Sequence, residues 1–513
     1  MTLIRRIGLF LLTVMAVASA QAGQASNVVV IVWDGMRPDF VRADLTPVLH
    51  KLAGEGTFFT NHHPVYISTT EVNGTALATG DYPAVSTIVA NAEYRPEIHP
   101  RKAQATESLD TMRKADKLSG GHYLQAPTVA EILQSKGYQT LVVGTKPVAF
   151  LHDRKDRPAS ATNITLADGR SLPPQIATNI IKLQGAFPDA GSNRIHRDIW
   201  TSDALLTNLW SGSFPAFTLL WLGEPDGSQH NAAPGSANAL LSIRNNDAIL
   251  GRILASLEQR GLRDKTDIII VSDHGFSTIN GSTNVVKVLN TNGFKAFREY
   301  PKTGPTNGDI LVVGGASTLF YVAGHDAAVT ERLVRFLQTQ PFSGVIFTRT
   351  AMDGTFALKD VKLDSPAAPD VVLSMRWSPN ASKNGTPGLV WVDSATGGTH
   401  GSLSRFDMHN TCIAAGPDFR KGLVSTLASG NVDIAPTILW IFGITPPQPM
   451  SGRVLSEALV GNPPEVSPAR SGSQDASHTG KQFTWKQHLD FTTVNQTVYF
   501  DQGYGELTPA TAR

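Results

Sequence analysis

Three near-continuous apolar runs, each ending close to an aspartate, constrain the fold of this chain most. Asn27 to Trp33 reads NVVVIVW and is followed by Asp34-Gly35. Phe214 to Leu222 reads FPAFTLLWL and leads through Glu224-Pro225 to Asp226. Asp267 to Val271 reads DIIIV and delivers Ser272-Asp273-His274-Gly275. Runs of β-branched and aliphatic residues without polar alternation suit strands covered on both faces, as in a parallel sheet. Tyr138 to Val143 is a fourth candidate, ending at Gly144-Thr145-Lys146. Helical stretches separate them: 47–52, 73–79 closed by Gly80, 127–136 closed by Gly137, 195–210, and 236–260 closed by Gly261. In the last of these Ile243, Leu250, Leu254 and Leu257 fall on one face. The alternation predicts an α/β chain with a central, mostly parallel sheet flanked by helices. Such sheets carry their chemistry at the carboxyl ends of the strands.

The rest of the chain reads less sharply. Residues 95–122 are polar with little periodicity, an exposed excursion. Residues 281–395 hold their own strands and helices (309–313, 327–337, 370–374) and form either an inserted, cap-like subdomain or part of the same sheet. A helix is expected over 432–442, closing a main body that spans 23–460. Residues 462–481 are rich in Ser, Pro and Gly and read as a linker or surface loop. Strands near Phe483 and from Thr497 to Phe500 return to the main body, so 461–513 is a linker followed by C-terminal strands.

Composition excludes several classes. With 41% hydrophobic and 17% charged residues over 513, the chain is globular. A net charge of +1 gives no field to draw a nucleic-acid polymer or an anionic membrane. Arg5 and Arg6 precede an apolar run from Ile7 to Val17, then the small-residue sites Ala18-Ser19-Ala20 and Ala20-Gln21-Ala22. Residues 1–22 therefore read as a secretory signal, too short for a spanning helix. The expected location is periplasmic or secreted, without a stable membrane anchor. The single cysteine, Cys412, permits no intrachain disulfide and reads as a small buried hydrophobe. Nothing in the sequence speaks to oligomeric state.

Asp34, Asp226, His230, Asp273, His274 and His400 form a set of carboxylate and imidazole donors, with Asp226 and His230 four apart. Such donors suit zinc or another first-row divalent ion better than calcium. Paired ions can stabilise both the attacking and leaving oxygens of an in-line displacement. A threonine hydroxyl such as Thr70, weak when free, becomes a competent nucleophile on a metal. Taken singly, each residue also admits an ordinary role. Asp34-Gly35 could start a turn, His230 and His400 could be packed or surface histidines, and Thr70 is one hydroxyl beside Ser68 and Thr69.

The blocks around these residues give a specific resemblance. They are Val32-Trp33-Asp34-Gly35; Thr70-Glu71-Val72-Asn73-Gly74 leading to Ala78-Thr79-Gly80-Asp81-Tyr82-Pro83; Glu224-Pro225-Asp226 with His230; Ser272-Asp273-His274-Gly275; and Gly398-Thr399-His400-Gly401. From about Val28 to about Phe442 the chain resembles the nucleotide pyrophosphatase/phosphodiesterase branch of the alkaline phosphatase superfamily. The resemblance implies an alkaline-phosphatase-like catalytic domain over 23–460. It also implies two divalent ions, zinc above all, and a small phosphate-ester substrate. Asp34, Thr70, Asp273 and His274 would hold one ion, and Asp226, His230 and His400 the other. Thr70 would attack phosphorus and form a covalent intermediate that water releases. Asn91, with a backbone N–H near Thr70, would donate to a non-bridging phosphate oxygen.

Two departures bear on substrate. Family members that bind nucleotides carry an aromatic and then a Pro after the nucleophile; here stand Glu71 and Val72. A carboxylate cannot stack on a base, so Glu71 is expected to disfavour nucleotides and favour a hydroxyl or ammonium near the phosphate. Some superfamily monoesterases grip phosphate with a Lys-x-Arg pair; this chain has Lys146 but Val148. Lys146 is therefore either half of that clamp or a solvated loop lysine. Asp407 and His409 are candidate supports for His400, with His62 and His63 weaker ones. The expected activity is a phosphodiesterase. Rivals are a phosphomonoesterase on the same site, a sulfatase (whose Cys/Ser-x-Pro-x-Arg motif is missing around Thr70) and a non-catalytic binding protein.

Overall fold

The apolar runs assemble side by side in the computed structural model, which describes residues 23–189 and 194–509. Nine strands form one sheet in the order Leu423–Ser425, Thr57–Phe59, Cys412–Ala415, Thr266–Val271, Asn27–Trp33, Phe217–Leu222, Thr140–Gly144, Ile164–Ala167 and Arg170–Leu172. The four central strands, from Thr266–Val271 to Thr140–Gly144, are mutually parallel. Cys412–Ala415 joins antiparallel. Cys412 is buried there as a small hydrophobe.

The pleat sends alternate residues of Asn27–Trp33 into separate cores, which is why no polar position interrupts the run. Val28, Val30 and Val32 pack with Trp221, Val271 and residues of the helices Val129–Ser135 and Ile434–Ile441. Val29, Ile31 and Trp33 pack with Leu220, Ile270 and the helix Ala237–Gln259. That long helix starts where the Ser236 hydroxyl accepts from the Ala239 N–H. It buries Ile243, Leu250, Ile253 and Leu257 completely, a stripe contributing on the order of 6–12 kcal/mol before ordering entropy. Leu254 is only partly buried at its margin.

None of the described strands between 281 and 395 joins the nine-stranded sheet. Most build a separate six-stranded sheet, with Ser317–Val322, Val371–Met375 and Ser343–Thr348 at its centre. Pro387–Val392 pairs instead with Ser277–Ser282, which also pairs with Gly398–Thr399. This ties the end of the 281–395 stretch to the loop bearing His400.

Several segments differ from the sequence reading. Within 95–122, Leu109–Ser119 is a helix that buries Leu109, Met112 and Ala115. Its spacing of three is helical, but the charged residues between mask the pattern. Within the expected loop 462–481, Arg470–Thr479 is a strand paired along its length with Phe483–Val494. It is an outer strand exposed along most of its length, so no apolar alternation betrays it. Thr497–Pro509 completes this three-stranded sheet and docks on the body. Gln487 exchanges two hydrogen bonds with the Ile346 backbone, and the Tyr499 hydroxyl donates to Asp433 at 2.8 Å. No helix among the described residues is long and apolar enough to cross a membrane. The signal reading concerns residues 1–22, outside the described residues.

Candidate active site

Strand order sets the site out in a row. Asp273, Asp34, Asp226 and Lys146 each follow one of four adjacent parallel strands at its carboxyl end. The Asp226 N–H donates to the Asp34 carbonyl at 2.9 Å, joining two of these turns. Gly35 takes φ +72°, a conformation L side chains resist, and its N–H meets Asp273 Oδ1 at 3.0 Å. Asp226 opens the helix Asp226–Ala232, so His230 lies one turn on, its Nε2 3.1 Å from Asp226 Oδ1. His274 Nε2 stands 3.1 Å from Asp273 Oδ2 and 3.7 Å from Asp34 Oδ1. His400 Nε2 is 3.5 Å from Asp226 Oδ1, and its ring stacks on His274 at 3.5 Å. The six Asp and His positions thus converge.

The donors are prepared for cations. His230, His274 and His400 each tie Nδ1 to a backbone carbonyl, of Gly398, Gly275 and Ser68, all at 2.9 Å. That fixes the tautomer and turns the Nε2 lone pair inward. Asp34 Oδ1, Asp226 Oδ1 and Asp273 Oδ2 are buried without a hydrogen-bond partner. Among the described residues only imidazole Nε2 atoms face these oxygens, at 3.1–3.7 Å, and buried carboxylates met by nothing more positive are costly. Asp34, Asp273 and His274, and likewise Asp226, His274 and His400, bring ligand atoms within 4.8 Å of one another. The donor chemistry fits divalent ions.

Among themselves, the side chains of the site compensate one another's charge. Burial, then Asp273, pushes the Asp34 carboxyl well above its usual range. Burial also raises Asp226, but Lys146 and His230 overcome it and hold that carboxyl well below. Burial opposes protonation of His274, yet Asp273 beside it pulls the ring up to about 9. Burial and the neighbouring His274 push His400 down. Lys146 is mostly buried, and its Nζ bridges Asp34 at 2.9 Å and Asp226 at 3.1 Å. Despite burial, Asp226, Asp34, Glu107 and Glu71 hold this lysine well above its usual range.

Thr70 begins the helix Thr70–Thr79, three residues before the expected start, and is 1% exposed. Its Oγ1 lies 3.3 Å from His274 Nε2. Asn91 Oδ1 accepts the Glu71 N–H at 3.2 Å, which leaves the Asn91 amide nitrogen as the donor. Glu71 is buried, and desolvation, then the Glu107 charge, pushes its carboxyl well up. Val148 is fully buried beneath this helix: a Cβ at Gly74 would meet its Cγ2 at 2.6 Å. Gly74 is thus the close approach that seats the helix on the sheet.

Several positioning residues escape sequence reasoning. The Trp221 indole donates to Asp34 Oδ2 at 2.8 Å. The Asn73 side chain accepts from the Val65 N–H at 2.8 Å and donates to the Thr69 carbonyl at 3.2 Å, fastening the loop that presents Thr70. Asn431 donates to both Asn73 and the Asp273 carbonyl. A buried Asn inside a helix is the one signal that marks Asn73 in sequence. Asp407 does not touch His400; it accepts from Ser402 and Ser277, fixing the loop beyond. His409 and His63 face each other elsewhere, with ring centroids 4.4 Å apart. His62 bonds Ser429 and Asn431.

The family model for type I phosphodiesterase / nucleotide pyrophosphatase matches residues 28–403. Among curated proteins, human ectonucleotide pyrophosphatase/phosphodiesterase family member 1 is 26% identical over 249 residues, 47% of this chain and 22% of that protein. Its rat counterpart is 30% identical over 251 residues, 47% of this chain and 23% of that protein. The match therefore spans less than a quarter of these relatives. Among solved structures, murine ectonucleotide pyrophosphatase / phosphodiesterase 5 superposes with a TM-score of 0.59 at 17% identity, over 84% of this chain and 100% of that chain. An inactive variant of that protein in complex with AMP superposes equally well, at 16% identity. The family model covers most of the chain, and the chain belongs to the type I phosphodiesterase / nucleotide pyrophosphatase family.

Proposed function

We propose that this protein is an exported, two-metal phosphodiesterase that uses Thr70 as nucleophile. The observation that carries the reading is the set of three imidazoles locked with Nε2 inward, facing three buried carboxylates across 3.1–3.7 Å, with Thr70 beside them. Asp34, Asp273 and His274, with Thr70, hold one divalent ion, and Asp226, His230 and His400 the other; the imidazole content favours zinc. When bound, such ions lower the pKa of a hydroxyl and offset phosphate charge.

Thr70 Oγ forms the new bond to phosphorus, the ester oxygen leaves with its electron pair and gains a proton, and a phosphothreonine ester results. Water then attacks phosphorus, frees Thr70 and releases the phosphomonoester. Asn91 and the helix N-terminus donate to the phosphate oxygens that do not leave. Lys146 is placed to follow these oxygens when its two aspartates take up cations. Val148, buried where the second residue of a Lys-x-Arg clamp would stand, favours a diester over the monoester rival; the guanidinium beside Lys146 comes instead from Arg194, whose Nη1 lies 4.0 Å from Asp226 Oδ2.

With zinc present, bis-p-nitrophenyl phosphate is expected to turn over at least about tenfold faster than p-nitrophenyl phosphate, a difference of about 1.4 kcal/mol in barrier. A monoester preference would replace this reading with the rival. Intact mass of the exported chain checks cleavage near residue 22.

Glu71 shapes the substrate. Its carboxyl offers no face for a base, so nucleotides gain no stacking after the nucleophile. Glu71→Phe is expected to raise turnover of a p-nitrophenyl nucleotide ester relative to bis-p-nitrophenyl phosphate by about ten- to a hundredfold, the scale of one base–aromatic stack. An unchanged substrate ranking would remove Glu71 from specificity.

A further inference from the structure

A second cluster of metal-type donors lies apart from the strand-end site and shares no residue with it. We propose that His63, His409 and Asp501 hold a separate divalent cation of the zinc type, which fastens the C-terminal three-stranded sheet to the catalytic body. One ligand atom from each of the three lies within 4.8 Å of the others.

The donors come from distant parts of the chain. His63 ends the short strand His62–His63, just before the loop that leads to Thr70. Its Nδ1 donates to the Ser429 carbonyl at 3.1 Å, and its Nε2 sits 3.0 Å from Asp501 Oδ1. His409 lies in the loop after His400, and its Nδ1 donates to the Arg405 carbonyl at 2.9 Å, so Nε2 is its free ring nitrogen. Asp501 belongs to Thr497–Pro509; Thr492 Oγ1 donates to its Oδ2 at 3.1 Å, leaving Oδ1 toward His63. Both imidazoles thus repeat the arrangement seen at the active site, with Nδ1 spent on a backbone carbonyl and Nε2 left to serve as ligand.

An ordinary His–Asp ion pair accounts for His63 and Asp501 alone. It does not account for a second imidazole whose ring centroid is 4.4 Å from the first. Donors bound to zinc at about 2.0–2.1 Å in tetrahedral geometry stand roughly 3.3 Å apart. His63 Nε2 and Asp501 Oδ1, at 3.0 Å, already stand near that spacing, and all three ligand atoms lie within 4.8 Å of one another. Two nitrogens and one oxygen select zinc or a similar ion over calcium or magnesium. His63 is 1% exposed and Asp501 25%, so the open side of the site can carry a water as fourth ligand. The bound ion links the loop before Thr70, the loop after His400 and the C-terminal sheet.

The test compares zinc content at saturation, after chelation and dialysis, in the full chain and in two variants, Asp501→Asn and His409→Gln. Each variant is expected to bind one zinc ion per chain fewer than the parent. Each should also lose part of the zinc-dependent rise in Tm, while keeping turnover of bis-p-nitrophenyl phosphate at saturating zinc. The count is a difference between chains with identical strand-end residues, so it does not depend on how many ions bind there. Equal zinc content in the parent and both variants overturns the proposal. If a variant does not fold, anomalous scattering at the zinc edge from crystals of the parent decides: a peak between His63, His409 and Asp501 supports the site, and none at saturating zinc rejects it.

Discussion

Thr70→Ala is expected to lower turnover of a phosphodiester by about 10⁴- to 10⁶-fold, or roughly 5–8 kcal/mol of transition-state stabilisation. The argument is local. Among the described residues, Thr70 carries the hydroxyl that both begins the helix Thr70–Thr79 and reaches His274 Nε2, at 3.3 Å. Ser68 Oγ is spent on the Ser402 carbonyl. Thr69 Oγ1 is buried without a hydrogen-bond partner and makes no contact with the imidazoles among the described residues. The substitution should leave the fold intact, because Ala is the better helix former and the Asn73 clamp on the preceding loop is untouched. Thr70→Ser keeps the hydroxyl and is expected to retain activity within about a hundredfold, since only the γ-methyl that orients it is lost. Steady-state kinetics with zinc content measured alongside checks this: a Thr70→Ala enzyme as active as the parent, with its metal in place, ends the nucleophile assignment.

The order of the strands explains why so much of this site was legible in the sequence. Asp34, Asp226 and Asp273 each follow an apolar run, and a parallel sheet brings the ends of such runs to one edge. His230 was legible because it sits one helical turn after Asp226. What holds these residues was not legible, because the partners are remote in sequence. Trp221 and Asp34 are 187 residues apart, His400 and Ser68 are 332 apart, and Asn73 and Asn431 are 358 apart. No local pattern encodes such pairings. Lys146 was visible as a strand-end residue, but its bridge between Asp34 and Asp226 depends on which strands are neighbours. The misread segments failed for a different reason. Leu109–Ser119 buries only one narrow stripe, and Arg470–Thr479 buries almost nothing, so hydrophobic periodicity was weak or missing in both. His409 was linked to His400 by nearness in sequence, whereas the chain turns it toward His63 and Asp501 instead.

Removing divalent ions is expected to abolish activity without unfolding the chain. Chelation should lower turnover of bis-p-nitrophenyl phosphate by about a thousandfold or more, the scale of losing an activated nucleophile and its charge compensation together. The fold should persist because the two apolar cores flanking the nine-stranded sheet do not involve the ligands. Lys146 also stays within ion-pair distance of Asp34 and Asp226, compensating part of their charge. Part is not all: among the described residues only imidazoles face Asp34 Oδ1, Asp226 Oδ1 and Asp273 Oδ2, so the stripped protein should melt a few degrees lower than the loaded one. Re-addition then discriminates among ions. Three inward-facing imidazole nitrogens favour zinc, cobalt or manganese, while calcium and magnesium prefer oxygen shells and should restore little. Full activity in protein shown by elemental analysis to be free of transition metals, or full rescue by calcium alone, is incompatible with this donor set acting as proposed. Asp226→Asn sharpens the result, because it alters the carboxylate shared by His230 and His400 but leaves Asp34, Asp273 and His274 in place. That variant should lose one ion and most of its activity together, which ties the chemistry to the row of strand ends from which Asp226 projects.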